Sequence, residues 1–242
     1  MKIAICFYGL DPSETWKNIK ITEDKCLNLW KKNVFDINNC DIFIHSFSKK
    51  RKELLKYNPK DYLFEEEKNS EINFKEIQNF EKELNEKKNY NGWNLSNIKT
   101  QYYICYGIKK TIELMNKYET TNNFKYDLVL LSRMDVCWIS PLNFNELNTN
   151  KIYSPIWGKN NIQGKLTNGL LGYWIMGNNN IIKKFSTFYD NLPYYFKKYK
   201  KCLSYHRLIK IHLSSVINNI DYKFKSIGCG EADMDLQRYI FK

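Results

Sequence analysis

Two charged residues, Arg133 and Asp135, directly follow a short apolar run in the middle of the chain. The run, residues 128–131, is typical of a central strand in a mostly parallel sheet covered on both faces. Ligands of open α/β sheets bind beyond the carboxyl ends of the strands. A guanidinium and a carboxylate there, two residues apart on one strand face, predict a site for a phosphorylated or metal-bound substrate. The alternative is a structural Arg–Asp pair; we favour the site, because charges that follow four apolar residues must be paired or used.

The end of the first predicted strand, CFYGL at residues 6–10, is a second candidate. Its glycine, Gly9, lets the backbone approach a ligand, and Tyr8 is suited to stacking on a nucleobase. An ordinary strand-to-loop turn explains the same residues. Neither GxGxxG nor GxxxxGK[ST] follows, so the sequence carries neither a dinucleotide fingerprint nor a P-loop.

Two later segments carry residues suited to metal binding or proton transfer. His206 lies in YHR, residues 205–207, and is a candidate ligand for metal or phosphate, or else a solvent-facing helix residue. In the tail GCGEADMDLQRY, two glycines precede Asp233 and Asp235. These carboxylates suit a general base or a second metal ligand, and a plain acidic turn is the alternative.

The elements that must position these residues alternate between strands and helices, which indicates an α/β fold built on a βαβ sheet. The predicted order is strand 2–8, helix 13–32, strand 41–47, a basic helix containing Arg51, strand 62–66, a surface helix or mobile loop at 73–91, helix 97–118 and the central strand. Beyond residue 138 we predict strand 152–155, loop 158–169, strand 172–177, helices 178–199 and 204–218, and extended segments 222–226 and 237–241. No linker separates independent domains, so we expect a single domain.

The chain of 242 residues has 38 basic and 26 acidic residues, a formal net charge of +12. Its arginines, which offer phosphate a bidentate geometry, are Arg51, Arg133, Arg207 and Arg238. A basic chain favours polyanions or an anionic membrane surface. The run KKYKK, residues 197–201, is suited to lie on a bilayer, or else forms a solvated helix face. No apolar run approaches the ~20 residues of a membrane span, and the N-terminus fits a first strand better than a secretory signal.

Seven cysteines are scattered singly along the chain, without a CxxC pair: Cys6, Cys26, Cys40, Cys105, Cys137, Cys202 and Cys229. Their odd number and apolar surroundings favour buried free thiols in a reducing compartment over disulfides or a zinc site. We therefore expect a cytoplasmic protein, with a peripheral contact at the inner face of an anionic membrane.

Segments spread over nearly the whole chain resemble a group of GT-A-type glycosyltransferase-like proteins found in bacterial surface-polysaccharide loci and in large viruses. The segments are CFYGL, DIFIHSF, NIKTQYYICYGIKKTIEL, YDLVLLSRMDV, GYWIMGNNNIIKKFSTFYDNL, YHRLIKIHL and the DMDLQRY tail. The resemblance implies a single GT-A-like (Rossmann-like) domain over residues 1–242. Residues 1–138 would be its nucleotide-binding half and residues 139–242 its acceptor-side half.

The resemblance also implies roles for individual residues. In GT-A enzymes an acidic strand-end motif, commonly DxD, binds the metal that bridges the diphosphate of a nucleotide-sugar, and that role falls on Asp135. Ser132 or Arg133 stands where the first acidic residue would be, so the full DxD is absent. Arg133 or lysines are therefore alternative partners of the diphosphate.

Further contacts follow from the same resemblance. The nucleotide would contact Phe7, Tyr8 and Gly9, and its ribose or phosphates would contact Arg51 and Lys109. Related members often have an acidic residue before the strand that matches GYWIMG, where this chain has Asn168 in TNGLLG. Asp233 and Asp235 therefore stay the candidates for the catalytic base.

The sequence thus predicts a glycosyltransferase that moves a sugar from a nucleotide-sugar donor to a surface-glycan, polysaccharide or lipid-linked acceptor, assisted by Mn²⁺ or Mg²⁺. Aromatic residues that would stack on sugars, or else pack in the core, are Tyr153, Trp157, Tyr173 and Trp174. One alternative is a nucleotidyltransferase acting on sugar phosphates, although no Gly-rich triphosphate loop follows the first strand. The other is a non-enzymatic polyanion-binding protein, although the lysines form no single stripe. We expect no specific nucleic acid partner.

Overall fold

The computed structural model describes residues 1–11, 25–83, 98–154, 172–199 and 205–216, together with the backbone of residues 23–24, 84–86 and 234–236. The strands are β1 (Ile3–Tyr8), β2 (Cys40–Ser46), β3 (Asp61–Phe64), β4 (Leu128–Arg133), β5 (Val136–Trp138), β6 (Trp174–Gly177) and β7 (Met234–Leu236). The helices are α1 (Glu23–Trp30), α2 (Arg51–Leu55), α3 (Phe74–Glu86), α4 (Ile98–Thr121), α5 (Asn179–Phe185), α6 (Phe188–Tyr199) and α7 (Tyr205–Val216). Among these helices none is long and apolar enough to cross a membrane.

The described strands form a central sheet of five members in the order β3-β2-β1-β4-β6. β1 is parallel to both β2 and β4, β2 is parallel to β3, and only the edge strand β6 is antiparallel. Every residue of β1 is buried, because packed layers cover both faces of the sheet. The predicted α/β fold, with a mostly parallel central sheet flanked by helices, is confirmed.

Successive residues of β1 face opposite layers of the core, as the pleat of a strand requires. Ala4, Cys6 and Tyr8 belong to a cluster built with α4, α6 and α7. Ile3, Ile5 and Phe7 belong to a second cluster built with α1 and β5. Neighbouring residues at the end of β1 therefore point to different sides of the sheet.

Helix α1 is fastened to β5, which follows the central strand. Trp30 at the end of α1 donates its indole N–H to the carbonyl of Val136 at 2.7 Å. β5 also pairs with β7 in a small antiparallel sheet, in which Cys137 lies opposite Asp235. The backbone of the C-terminal segment therefore runs beside the residues that follow Asp135.

The predicted strand through Arg133 and Asp135 is not continuous. β4 ends at Arg133, the N–H of Met134 donates to the carbonyl of Tyr8 at 3.1 Å, and the chain turns before β5 begins at Val136. Asp135 lies in this turn. The prediction that both charged side chains lie on one strand face is therefore wrong.

The single helix predicted at residues 178–199 is two helices, α5 and α6. Ser186 and Thr187 lie between them, and their hydroxyls donate to the carbonyls of Lys183 and Lys184 at 2.7 and 2.8 Å. Such side-chain bonds satisfy carbonyls that would otherwise continue the helical ladder. Beyond the break, α6 packs on α4 and α7.

Most other predicted elements are confirmed with shifted ends. The strands at 2–8, 41–47 and 62–66 are β1, β2 and β3, the helices at 97–118 and 204–218 are α4 and α7, and the surface helix within 73–91 is α3. Residues 152–154 form no strand; Tyr153 makes an isolated bridge to Met176. The loop at 158–169 and the extended segments at 222–226 and 237–241 lie outside the described residues.

The described cysteines, Cys6, Cys26, Cys40, Cys105 and Cys137, are free thiols. All of these except Cys40 are buried, as predicted. Cys202 and Cys229 lie outside the described residues.

Candidate functional site

The candidate site lies where the strand order of the sheet reverses. β2 flanks β1 on one side and β4 flanks it on the other, so the carboxyl ends of three parallel strands meet at one edge. In the register, Tyr8 of β1 is aligned with His45 of β2 and with Arg133 of β4. Crevices at such a switch point are where open α/β sheets bind ligands.

A cavity of about 290 Å³ opens at this point, and we call it the switch-point cavity. Tyr8, Gly9, Arg133 and Asp135, all predicted site residues, line it. Gly9 has φ +105°, a backbone conformation that side-chain-bearing residues rarely adopt. The structure thus brings together residues from two segments that are more than 120 positions apart in the chain.

The other end of the switch-point cavity is aromatic and apolar. It is lined by Phe47, which follows β2, and by Thr100, Tyr103 and Ile104 of α4, with Glu67 at its edge. The Tyr103 hydroxyl donates to Glu67 Oε2 at 2.7 Å. A cavity with a charged end and an aromatic end suits a ligand that has an anionic group joined to a flat ring.

At the charged end, Arg133 and Asp135 form a two-pronged ion pair. Arg133 Nε donates to Asp135 Oδ1 at 2.8 Å, and Nη2 donates to Oδ2. The Asp135 side chain is only 3% exposed, whereas that of Arg133 is 24% exposed. Burial acts to lower the pKa of Arg133, but the attraction of Asp135 and the hydrogen bonds between them outweigh it, so its pKa lies above the ordinary value.

The pairing leaves hydrogen-bond capacity on the guanidinium. A guanidinium has five N–H donors. Asp135 accepts from two of them, the Nε proton and one Nη2 proton. Among the described residues Nη1 has no hydrogen-bond partner, and the guanidinium carbon lies 5.3 Å from the centre of the Tyr173 ring. The end of the guanidinium therefore remains available for two parallel bonds to a phosphate.

Tyr8 and His206 meet at the backbone of Gly172. The Tyr8 hydroxyl donates to the Gly172 carbonyl at 3.3 Å, and the Gly172 N–H donates to His206 Nδ1 at 3.1 Å. A Cβ at Gly172 would lie 2.3 Å from atoms of Tyr205 and Ile209, so only glycine fits. Burial raises the pKa of Tyr8, which keeps its hydroxyl protonated.

The predicted role of His206 as a metal ligand has little geometric support. Because Nδ1 accepts a backbone N–H, the neutral ring carries its proton on Nε2, and neither nitrogen then offers a lone pair to a metal. The ring centre lies 6.0 Å from that of Tyr173, the residue beside Arg133. His206 thus supports the wall of the site, and its metal role stays a prediction.

His45 and Glu65 are site residues that the sequence reasoning did not select. His45 lines the switch-point cavity, and its Nε2 lies 2.7 Å from Glu65 Oε1. Burial lowers the pKa of His45 in spite of this carboxylate, and among the described residues Nδ1 has no hydrogen-bond partner. The position of His45 near the end of the second strand is a feature of the sequence that could have identified it as a site residue. Nothing in the sequence indicates its contact with Glu65.

Gly107 lets helix α4 approach the strand ends closely. A Cβ at this position would lie 3.2 Å from His45 Nδ1 and 3.3 Å from Tyr8 Cβ. Both distances are tight, so a larger residue would push α4 away from the floor of the cavity.

Other predicted site residues lie away from the switch-point cavity. Phe7 is fully buried on the opposite side of the sheet, with ring centres 4.8 Å from Trp30 and 5.3 Å from Tyr57. Arg51 is exposed at the start of α2. Lys109 pairs with Asp190 at 2.8 Å.

The predicted catalytic base lies in the C-terminal segment. Asp233 is outside the described residues. Asp235 is described through its backbone alone, opposite Cys137 in the β5–β7 pair. Its roles and those of Asp233 stay predictions.

The described residues do not fit a Mn²⁺ or Mg²⁺ site. Both oxygens of Asp135 are engaged by Arg133, and these cations prefer several free oxygen ligands. Within the described part of the chain no group of three His, Cys, Asp or Glu residues could hold a metal ion. No step of the chemistry below is therefore derived through a metal.

The predicted sugar-stacking residues divide between core and site. Tyr153 and Trp174 are buried in the cluster under α1 and β5, which supports the core-packing alternative for both. Tyr173 lies beside Arg133. Trp157 is outside the described residues.

No family model matches the sequence, and neither does any curated protein. Solved structures that match include an active-site mutant of LgtC, with 12% sequence identity and a TM-score of 0.48. The match covers 88% of this chain and 69% of that one.

Proposed function

We propose that this protein is a glycosyltransferase that binds the diphosphate of a nucleotide-sugar in the switch-point cavity and transfers the sugar to a glycan acceptor. The observation that carries the proposal is the Arg133–Asp135 pair, which lies at the strand-order reversal. No other described residue forms a hydrogen bond with the end of its guanidinium.

Arg133 would bind the diphosphate, and Asp135 would position Arg133. Two bonds from the end of the guanidinium to a phosphate need the guanidinium held in one plane, and the two bonds to Asp135 fix that plane. Tyr173 packs beside the same group. Asp135 is on this reasoning a positioning residue and not a metal ligand.

The aromatic end of the cavity would receive the nucleobase. Phe47 and Tyr103 supply ring surface there, and Tyr8 belongs to the same lining. Glu67 could accept hydrogen bonds from ribose hydroxyls or from base N–H groups. The volume of about 290 Å³ is near the lower end of ligand sites, about 300 Å³.

The chemical step would create negative charge on the departing nucleoside diphosphate. A guanidinium held against the phosphates stabilises that charge more in the transition state than in the bound donor. Asp233 or Asp235 would take the proton of the acceptor hydroxyl if the reaction inverts configuration. The backbone of β7, which contains Asp235, runs beside β5 and is what supports this assignment.

Several finer predictions from the sequence belong to the same proposal. The Mn²⁺ or Mg²⁺ that the sequence predicts has no part in the step proposed here, because Arg133 engages both oxygens of Asp135. The acceptor would be a surface glycan, a polysaccharide or a lipid-linked sugar. The protein would be cytoplasmic, with residues 197–201 near an anionic membrane, and its nucleotide-binding and acceptor-side halves would meet near residue 138.

Thermal-shift titration with UDP, GDP, ADP and CDP and their common nucleotide-sugars, in EDTA and in Mn²⁺, tests the proposal. We expect one nucleoside diphosphate to stabilise the protein, and Arg133→Met to weaken its binding by ~30-fold, because a charge-assisted pair is lost. Lys117→Ala, which removes an exposed cation paired with Asp61, is the matched control and should bind normally.

The same titration separates the alternatives. Stabilisation by nucleoside triphosphates and sugar phosphates, with release of pyrophosphate on mixing, would identify a nucleotidyltransferase. Stabilisation by heparin or nucleic acid alone, unchanged in Arg133→Met, would leave a polyanion-binding protein. Either result would overturn the glycosyltransferase proposal.

A further inference from the structure

Two buried thiols from distant parts of the chain, Cys26 on α1 and Cys137 on β5, lie in direct contact. Their Sγ atoms are 2.9 Å apart, although 111 positions separate the residues. Both side chains are fully buried. A disulfide holds its sulfur atoms about 2.05 Å apart, so only a small further approach would be needed to join them.

The surroundings already hold the two elements together. Cys26 Sγ lies 3.5 Å from the carbonyl oxygen of Val136, to which Trp30 of the same helix also donates at 2.7 Å. The thiols therefore meet as a consequence of α1 packing on β5. Strain is what most often prevents a covalent link between two cysteines.

We propose that Cys26 and Cys137 form a reversible intramolecular disulfide when a low-molecular-weight disulfide such as oxidised glutathione is available. The thiolate of one cysteine attacks oxidised glutathione and expels a glutathione thiolate. The thiolate of the other then attacks the mixed disulfide, forms the Sγ–Sγ bond and expels the second glutathione thiolate. The two protein protons pass to the two glutathione thiolates, so two thiols are oxidised and one glutathione disulfide is reduced.

The product would tie α1 to the strand that follows Asp135. Exchange requires a thiolate, and burial together with the contact to Cys137 raises the pKa of Cys26. Oxidation of the folded protein is therefore slow at neutral pH and accelerates as the pH rises. Oxidation during refolding avoids this barrier, because the thiols are exposed before α1 packs.

The test uses the full chain, denatured, reduced and then refolded in buffers of rising oxidised-to-reduced glutathione ratio. Free thiols are alkylated, and the protein is digested and analysed by mass spectrometry. We expect a cross-linked peptide joining Cys26 to Cys137, with a mass lower by two hydrogens. The bond closes a long loop, so Tm should rise by about 5–10 °C in the oxidised protein and return on reduction.

Two variants make the result specific. Cys105→Ser removes a buried thiol on the other side of the sheet and should keep both the cross-link and the reversible rise in Tm. Cys137→Ser should abolish both. Recovery of Cys26 and Cys137 as alkylated thiols from wild-type protein refolded in the most oxidising buffer would overturn the proposal, as would glutathione found on either residue without the cross-link. Both of these outcomes are measured on the wild-type protein, so neither depends on whether a variant folds.

Discussion

Asp135 and Glu119 are both almost completely buried carboxylates, each with a side chain 3% exposed, and each forms a salt bridge. Their surroundings differ. Glu119, on α4, accepts hydrogen bonds from the Tyr126 N–H at 2.8 Å, from Asn179 Nδ2 and from Lys183 Nζ at 2.6 Å. Among the described residues Asp135 is paired with Arg133 alone, and it borders a cavity.

This difference is what we expect between a carboxylate with a structural role and one that serves ligand binding. Glu119 ties α4 to the chain before β4 and to α5, and its three donors offset the cost of removing a carboxylate from water. Asp135 serves one guanidinium, which keeps N–H groups free toward the cavity. A buried ion pair therefore says little about function until the remaining hydrogen-bond capacity of its cation is known.

The largest expected effect tests the structural side of this comparison. Glu119→Gln keeps the shape but turns one acceptor into a donor, which then faces either the Tyr126 N–H and Asn179 Nδ2 or Lys183 Nζ. Breaking a buried pair from one side costs about 3–5 kcal/mol of unfolding free energy, and urea denaturation measures it. Nucleoside diphosphate binding should not change.

Glu113→Gln is the matched control for Glu119. Glu113 lies on the same helix and pairs with Lys110, but its side chain is 47% exposed, so its replacement should cost less than about 0.5 kcal/mol. Equal losses in the two variants would show that burial and the three donors do not distinguish Glu119.

Two buried histidines, His212 and His45, should make the stability of the protein depend on pH. His212 is a core residue with both ring nitrogens near hydroxyls, Tyr195 at 2.8 Å and Thr187 at 3.4 Å, and burial lowers its pKa to about 4. Unfolded histidine titrates near 6.5, so the unfolded chain binds more protons between these values. Stability contributed by neutral His212 is fully present above pH 6.5 and is lost as the pH falls toward 4, by up to about 3 kcal/mol.

Urea denaturation between pH 7.5 and 4 measures this loss, and His212→Asn should flatten it. His45, whose pKa is also lowered by burial, adds a loss in the same direction that the variant retains. An unchanged pH dependence in His212→Asn would show that the ring does not stay neutral in the folded protein.

The sheet and the general place of the site could be predicted from the sequence. The continuous apolar runs of β1, β2 and β4 indicate buried parallel strands, and the three- and four-residue spacing in α4 indicates a helix. Parallel strands bring their carboxyl ends to one edge, which explains why Tyr8 and Arg133 lie together. The alternation of a strand could also have shown that Phe7 and Tyr8 face opposite sides.

The pairings within the site could not be predicted in the same way. The turn at Met134 that brings Asp135 back onto Arg133 depends on a hydrogen bond to Tyr8, 126 residues earlier. The contact between His45 and Glu65 depends on the register in which β3 pairs with β2, because Glu65 directly follows β3. Such contacts are set by tertiary packing, and residue type and spacing do not encode them.

Asp135→Asn tests the binding side of the comparison, with a smaller effect on stability. Arg133 would lose its anion but is 24% exposed, so water can solvate it and the loss should be about 1–2 kcal/mol. Because Asp135 fixes the plane of the guanidinium, the Kd of a nucleoside diphosphate should rise by ~10-fold. The Kd of the corresponding nucleoside, which has no phosphate, should not change.

Replacing a purely structural residue would not weaken binding of the nucleoside diphosphate more than binding of the nucleoside. If calorimetric titrations show that Asp135→Asn weakens the binding of nucleoside and nucleoside diphosphate equally, the role of Asp135 is structural, like that of Glu119. Tighter Mn²⁺ binding by wild type than by Asp135→Asn would instead restore it as a metal ligand.

Lys109→Ala should give the smallest effect, and it tests where the site ends. The resemblance to GT-A-type proteins assigns Lys109 to the ribose or phosphates, whereas the structure pairs it with Asp190 on α6, whose side chain is 53% exposed. An exposed pair of this kind contributes about 0.5 kcal/mol or less, so both urea denaturation and nucleoside diphosphate binding should be close to wild type. A tenfold or greater rise in Kd would mean that Lys109 leaves Asp190 for the ligand. The binding surface would then extend along α4 beyond the switch-point cavity. The Lys109–Asp190 pair would then contribute to ligand binding, as Arg133 and Asp135 do in the proposal.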